Sequence, residues 1–285
     1  MSGADREPRY DRAQVRARIE GMTTVRTIPA VVSRIAAMLD SGSVSAVDIA
    51  DEISTDQVLA AKVLKLVNSG FYAFRAPITT ISHAMVLLGF DVVRTFVLTA
   101  SVLDLAETMH RLMAGLWEHS LATARAARAI AERSGLGDHE EIALVGLLHD
   151  IGKVLIAQAF PAEFNDIRRV TDERGCLQLE AEMAVLGVGH PEVGAWLLRK
   201  WSLPSKMVMP IAHHSSFHPR RDYADRTAIV HLADILSRAK GVGHPGDRRI
   251  PRLDPEAWAL LGLTMADVDD VCRRLDEDMA DIYFG

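Results

Sequence analysis

Apolar residues recur along most of this chain at every third or fourth position, and no run alternates apolar and polar residues cleanly enough for a half-buried strand. The pattern predicts an all-α fold. In VVSRIAAMLDSG, Val31, Val32, Ile35, Met38 and Leu39 form one apolar stripe that Gly42 stops. Ser45 with Asp48 has the spacing of a helix start, and Thr55 or Asp56 marks the beginning of VLAAKVLKLVNSG. Further helices are expected over 82–88 and 92–103, separated by a break at 89–91.

The aliphatic run gives way to Met and Arg around 107–115, which sets a soft boundary between two helical subdomains, 23–110 and 111–240. Their apolar faces are too wide to be covered by their own helices, so the two are expected to pack together. Residues 1–22 read as a polar tail or an exposed helix, and 241–285 as a loop rich in Gly, Pro and Arg followed by an acidic helix. Asn68 and Ser69 are placed to close a helix and set a turn at Gly70, and Phe71, Tyr72 and Phe74 to plug the two halves. Pro210 should kink the segment PSKMVMPIAHH.

Composition narrows the partners. Lys and Arg total 32 against 38 Asp and Glu, a formal charge of -6, so the average surface does not attract nucleic acid. Cys176 and Cys272 are too few for a disulfide framework or a thiolate metal site, which fits a reducing cytoplasm. The first 22 residues lack the apolar core of a signal peptide, and the oily run 84–103 is broken by Asp91 and Arg94. Buried helices rather than a membrane span are expected.

The chemistry centres on GLLHDIGKVLIAQAFP, residues 146–161, where His149 and Asp150 stand side by side in an otherwise oily helix. Two consecutive ionisable groups in an apolar segment need partners. Lys153, one turn on, can reach both, and Gly146 and Gly152 leave room for a close approach. His119 lies among Ala122, Thr123 and Ala126 on its own helix face; His190 stands at a helix start; His213 and His214 end a helix; Asp234 sits inside another. Neutral imidazoles and carboxylates suit a borderline divalent metal such as Fe, Mn, Co, Ni or Zn, and a bridging carboxylate such as Asp150 can hold two ions. His83, His110, His139, His218, His231 and His244 read as ordinary core or surface histidines.

The order His119, His149-Asp150, Asp234 resembles the H…HD…D signature of the HD superfamily of metal-dependent phosphohydrolases. HPEVG at 190–194 and the pair at 213–214 resemble additional ligands of the HD-GYP branch. However, SSFHPRRDY carries no GYP motif, and Gly115 stands where that branch has Glu, which argues against a third metal and cyclic di-GMP hydrolysis. The blocks TIPAVVSRIAAML, STDQVLAAKVLKLVNSGFYAF, PITTISHAMVLLGFDVVRTFVL, WEHSLATARAARAIA, LLHDIGK and LGVGHPEVGAWLLRKWSLP, in that order, resemble the HDOD domain over roughly 25–240.

The resemblance implies an HD-like helical bundle in the second subdomain and a bacterial signalling or regulatory module that acts through a protein partner or a signal. It carries over His119, His149, Asp150 and Asp234 as ligands of one metal, and Asp150, His190, His213 and His214 as ligands of another. The alternative is a metal-dependent phosphohydrolase acting on a phosphate-containing small molecule or nucleotide. In that case Lys153 would hold substrate charge; otherwise it is an ion-pair partner of Asp150. The regulatory reading is favoured because the whole-chain resemblance is to HDOD and no substrate-recognition motif is present.

Overall fold

The computed structural model describes residues 10–25, 38, 45–55, 57–68, 78–89, 92–93, 115–200 and 203–284. Among these the regular structure is entirely helical. The chain divides into two compact units, one of residues 1–22 with 111–279 and one of 23–110 with 280–285.

After α1 (Arg12–Val25), which begins in the larger unit, the described helices of the smaller unit are α2 (Ala46–Ser54), α3 (Gln57–Asn68) and α4 (Ile81–Leu88), which pack on one another. Ser45 starts α2 with a capping box: its hydroxyl accepts from Asp48 N, and the Asp48 carboxylate accepts from Ser45 N. Thr55 closes α2, and Asp56 lies outside the described residues. Asn68 does more than end α3. Its amide donates to the Ile78 carbonyl at 2.7 Å and accepts from Ile78 N at 2.8 Å, so one side chain pins the returning strand of chain. The stripe at 31–42 apart from Met38, the residues 94–103, the proposed plug of Phe71, Tyr72 and Phe74, and the boundary region 107–114 lie outside the described residues.

The larger unit holds α1 (Arg12–Val25), α5 (Leu116–Arg133), α6 (His139–Leu148), α7 (Ile151–Ala159), α8 (Pro161–Arg174), α9 (Gln178–Leu186), α10 (His190–Lys200), α11 (Ser205–His213), α12 (Ala224–Ala239) and α13 (Pro255–Leu261), and α14 (Met265–Phe284) begins in it. Its centre is α6, packed against α5, α11 and α12. Ile142, Leu144, Val145 and Leu148 are all buried, so this helix is apolar on nearly every side because it has neighbours on nearly every side. The run His139–Ala159 is apolar enough to cross a membrane by length and composition, but 94% of its apolar window is buried inside the fold.

Of the two expectations for the first residues, a tail or an exposed helix, the described ones form α1, a largely exposed helix that nonetheless buries Val15 and Ile19, sets Arg18 4.6 Å over the Phe160 ring, and pairs Arg12 with Glu192. One expectation is corrected: the helix through His149-Asp150 is not continuous. It ends at Leu148 and restarts at Ile151, with no Gly or Pro at the junction to signal the break. Pro210 lies inside α11, one turn before its end.

Candidate metal centre

The junction of α6 and α7 determines how His149 is presented. A helix end leaves carbonyls without intrahelical partners, and His149 Nδ1 donates to one of them, Gly146 O, at 2.7 Å. Gly146 itself lies against the backbone of α5, where a Cβ would stand 2.9 Å from Ala124 Cα. His214 repeats the device at the end of α11, donating from Nδ1 to Ile211 O at 2.9 Å. His190 Nδ1 donates to Glu182 Oε2 at 2.7 Å, and the same oxygen accepts from His190 N. Since each of these acceptors can only accept, each ring carries its proton on Nδ1 and turns Nε2 inward.

The inward atoms meet two carboxylates. His119 Nε2 lies 3.0 Å from Asp234 Oδ1, 3.3 Å from His149 Nε2 and 3.7 Å from Asp150 Oδ2. His149 Nε2 is 3.3 Å from Asp150 Oδ2 and 3.7 Å from Asp234 Oδ1. His190 Nε2 is 3.1 Å from Asp150 Oδ1, yet neither atom makes a hydrogen bond, and His119 Nδ1 is likewise without a partner. Two triads, His119 with His149 and Asp234, and His149 with Asp150 and His214, each bring their donor atoms within 4.8 Å of one another. All six side chains are buried.

The electrostatics follow from this crowding. Burial works against charge on His149, but Asp150 and Asp234 outweigh it and lift its pKa to about 9. Burial also opposes ionisation of Asp150, yet His149, Lys153 and His190 hold its carboxyl well below the usual range. Asp234 is depressed against its burial by Arg238, His119 and His149. Burial lowers His119, and burial together with the neighbouring His149 and His190 drives His214 well below the usual imidazole value. The cluster thus favours charge on His149 and opposes it on His119 and His214, beside two carboxylates held ionised, an environment that suits a divalent cation.

The structure does not bring in every residue expected. His213 points away and is only half-buried; its Nδ1 accepts from Arg221 Nη1 at 2.7 Å, and burial and Arg221 lower its pKa. Consecutive residues on a helix diverge by about 100°, so only one of an adjacent pair can face a given point. Lys153 is fully buried, with Nζ 2.6 Å from Asp150 Oδ2 and 2.8 Å from Pro245 O. It braces Asp150. Gly152 explains how α7 and α10 meet: a Cβ there would overlap the His190 carbonyl.

A model of the HDOD domain matches residues 25–217. The chain belongs to the HDOD domain family. An uncharacterized protein of Treponema pallidum is 26% identical over 215 residues, 74% of this chain and 42% of that protein, so the chain spans less than half the length of this curated relative. The crystal structure of an HDOD domain protein of unknown function from Geobacter sulfurreducens is 29% identical, with a TM-score of 0.68 over 95% of this chain and 97% of that one. A Shewanella amazonensis protein crystallised as a candidate phosphohydrolase shares the fold, with 24% identity and a TM-score of 0.65 over 92% of this chain and 93% of that one. So does a Marinobacter aquaeolei protein crystallised as a candidate signal transduction protein, with 21% identity, a TM-score of 0.68, and 95% and 64% covered.

Around the centre of this HDOD protein lies an outer ring that sequence reasoning missed. Glu182, which orients His190, accepts from Gln178 Nε2 at 2.9 Å; Gln178 N donates to Asp247 at 2.9 Å. Asp247 accepts from Arg238 Nη1 at 3.0 Å, and Arg238 Nε donates to Asp234 Oδ1 at 2.8 Å, which closes the ring back onto the candidate ligands. Arg238 was findable, four residues after Asp234 on one helix face. Glu182 and Asp247 reach the site from other elements and leave no local trace. His231 also contributes indirectly: its Nδ1 donates to His214 O and its Nε2 accepts from Asp254 N.

Proposed function

We propose that this HDOD protein is a cytoplasmic signalling or regulatory module with a retained HD-type metal centre, acting through a protein partner or a bound signal. His119, His149, Asp150, His190, His214 and Asp234 hold one or two divalent ions of the Fe, Mn, Co, Ni or Zn class, with Asp150 the one carboxylate positioned to bridge. The observation that carries the reading is the opposition of Asp150 Oδ1 and His190 Nε2, buried 3.1 Å apart with no hydrogen bond between them. With His190 neutral the two are facing acceptors, which repel unless a proton or a metal ion lies within reach of both. Regulation rather than turnover is favoured because Lys153, the candidate for substrate charge, is committed to Asp150 and Pro245. A neighbour crystallised as a candidate signal transduction protein is in keeping with the same class.

A metal-dependent phosphohydrolase is the second reading, favoured by a pocket of about 570 Å³ that opens onto His190, His214 and Asp234. An ion at the centre would then supply Lewis-acid polarisation of a phosphoryl oxygen. The two readings part in one experiment. Protein purified without added metal or a chelating tag is analysed for metal, then loaded in turn with Mn, Fe, Co, Ni and Zn and offered phosphodiester and nucleotide substrates. The regulatory reading expects bound metal and no turnover above the metal-only blank. Turnover that disappears in Asp150→Ala would replace it with the hydrolase.

A further inference from the structure

The pocket over the centre has a wall of a different character from its floor. His190, His214 and Asp234 form the floor, and Leu177, Leu179, Ile250 and Pro251 supply an apolar side. Arg238, Arg249 and Arg252 also line it. Their charges are not equivalent. Arg238 is consumed by Asp234 and Asp247, with N···O distances of 2.8 and 3.0 Å. Arg249 is anchored through Nε to Gly175 O and through its backbone N to Asp247 Oδ1 at 2.9 Å, and no carboxylate pairs with its guanidinium among the described residues. Arg252 is exposed and has no ion-pair partner among the described residues.

A chain of formal charge -6 therefore sets two guanidinium groups with no carboxylate partner among the described residues beside a buried cluster of metal-type ligands. Glu180 is the acid on the wall outside the Arg238 network, and its carboxylate already accepts from Leu177 N at 3.2 Å. The segment that carries Arg249 and Arg252 is fixed rather than loose: Asp247 is tied to α9 and α12, and the Pro245 carbonyl is tied to Lys153. An arginine fork suits the planar, bidentate recognition of a phosphate group, and that of Arg249 is held through its Nε at Gly175 O.

The geometry points to a binding site for an organic phosphate of nucleotide size, with Arg249 and Arg252 taking the phosphate and the Leu177, Leu179, Ile250 and Pro251 wall taking the organic part. The volume falls inside the roughly 300–1,000 Å³ of small-molecule pockets. A bare inorganic anion would leave the apolar wall unused. The HDOD match ends at residue 217, so Arg249, Arg252 and Asp247 lie beyond it, whereas Leu177, Leu179, His190 and His214 lie within it. The inference rests on the metal reading for the charge of the floor; the arginine rim stands without it.

Binding is measured by titration calorimetry on the full chain with each of the four ribonucleoside 5′-monophosphates, inorganic phosphate and adenosine, with metal content determined on the same samples. At least one nucleoside monophosphate is expected to bind more tightly than inorganic phosphate and than adenosine. The double variant Arg249→Ala/Arg252→Ala should weaken that binding at least about tenfold with metal content unchanged. A wild type that binds none of the nucleotides more tightly than about 1 mM, whatever its metal content, overturns the site. A double variant that binds as tightly as wild type overturns the role of the arginines. Metal-free wild type that binds nucleotide as tightly as metal-loaded wild type would instead overturn the contribution of the floor's charge to the site.

Discussion

The floor and the rim of the pocket are built differently. His190, His214 and Asp234 on the floor are almost fully buried, and His190 and His214 are aimed by a bond made behind the ring. The rim from Asp247 to Arg252 has no regular secondary structure and reaches solvent at Arg249 and Arg252. The rim hangs from the floor through Arg238, Gln178 and Lys153, whereas His149, His214 and Glu182 hold their places through bonds made within the helical layer. Changes to the floor should therefore reach the rim, and changes to the rim should leave the floor intact.

The largest effect should come from Asp150→Ala, which removes the carboxylate shared by His149, His190 and Lys153 and leaves the buried lysine unpaired. Loss of bound metal and of about 3–5 kcal/mol of unfolding free energy is expected, read by elemental analysis and denaturant unfolding. Wild-type metal content in this variant would mean that the ion binds elsewhere. Next comes Glu182→Ala, which deprives His190 of its orienting acceptor without touching a candidate ligand atom. Metal affinity should fall about 10–100-fold while the folded structure persists, as measured by competition with a chelating dye.

Asp247→Ala sharpens the contrast from the other side. It frees Gln178 N, Arg238 and Arg249 N from their common acceptor, at a cost of about 1–3 kcal/mol. Proteolysis within 241–253 should accelerate at unchanged metal content; loss of metal would show that floor and rim are one unit. The smallest effect is a proton. His149, raised from 6.5 to about 9 in the metal-free cluster, contributes stability that is fully present below 6.5 and lost as pH rises through about 9. Metal uptake at pH 7–8 should accordingly release close to one proton per His149 displaced, seen by calorimetry in buffers of different ionisation enthalpy, and release should fade above pH 9.

The floor was more legible in the sequence than the rim because its residues are ionisable groups set in apolar helices, where periodicity makes them conspicuous. His149-Asp150 stood out in an oily run, and His119, His190, His214 and Asp234 followed in order. What could not be read was phase and distance. Nothing in the local sequence breaks the helix at 149–150, since the break is stabilised by the His149 ring itself closing on Gly146. His213 and His214 are chemically identical, and only the rotation of the last turn of α11 decides which one faces inward. Lys153 was correctly placed within reach of Asp150, but the Pro245 carbonyl that completes its coordination lies 92 residues on. Asn68 looked like a helix cap and is in addition a clip on Ile78.

The central claim is that the inward nitrogens and carboxylates are a metal centre, and anomalous diffraction from crystals of the wild-type chain grown with Mn or Zn tests it most directly. The account predicts an anomalous peak within about 2.0–2.2 Å of His149 Nε2 or Asp150 Oδ2 and bonded to His119, His190, His214 or Asp234. Strong peaks only at surface positions such as His213, with none inside the cluster at saturating metal, would contradict it.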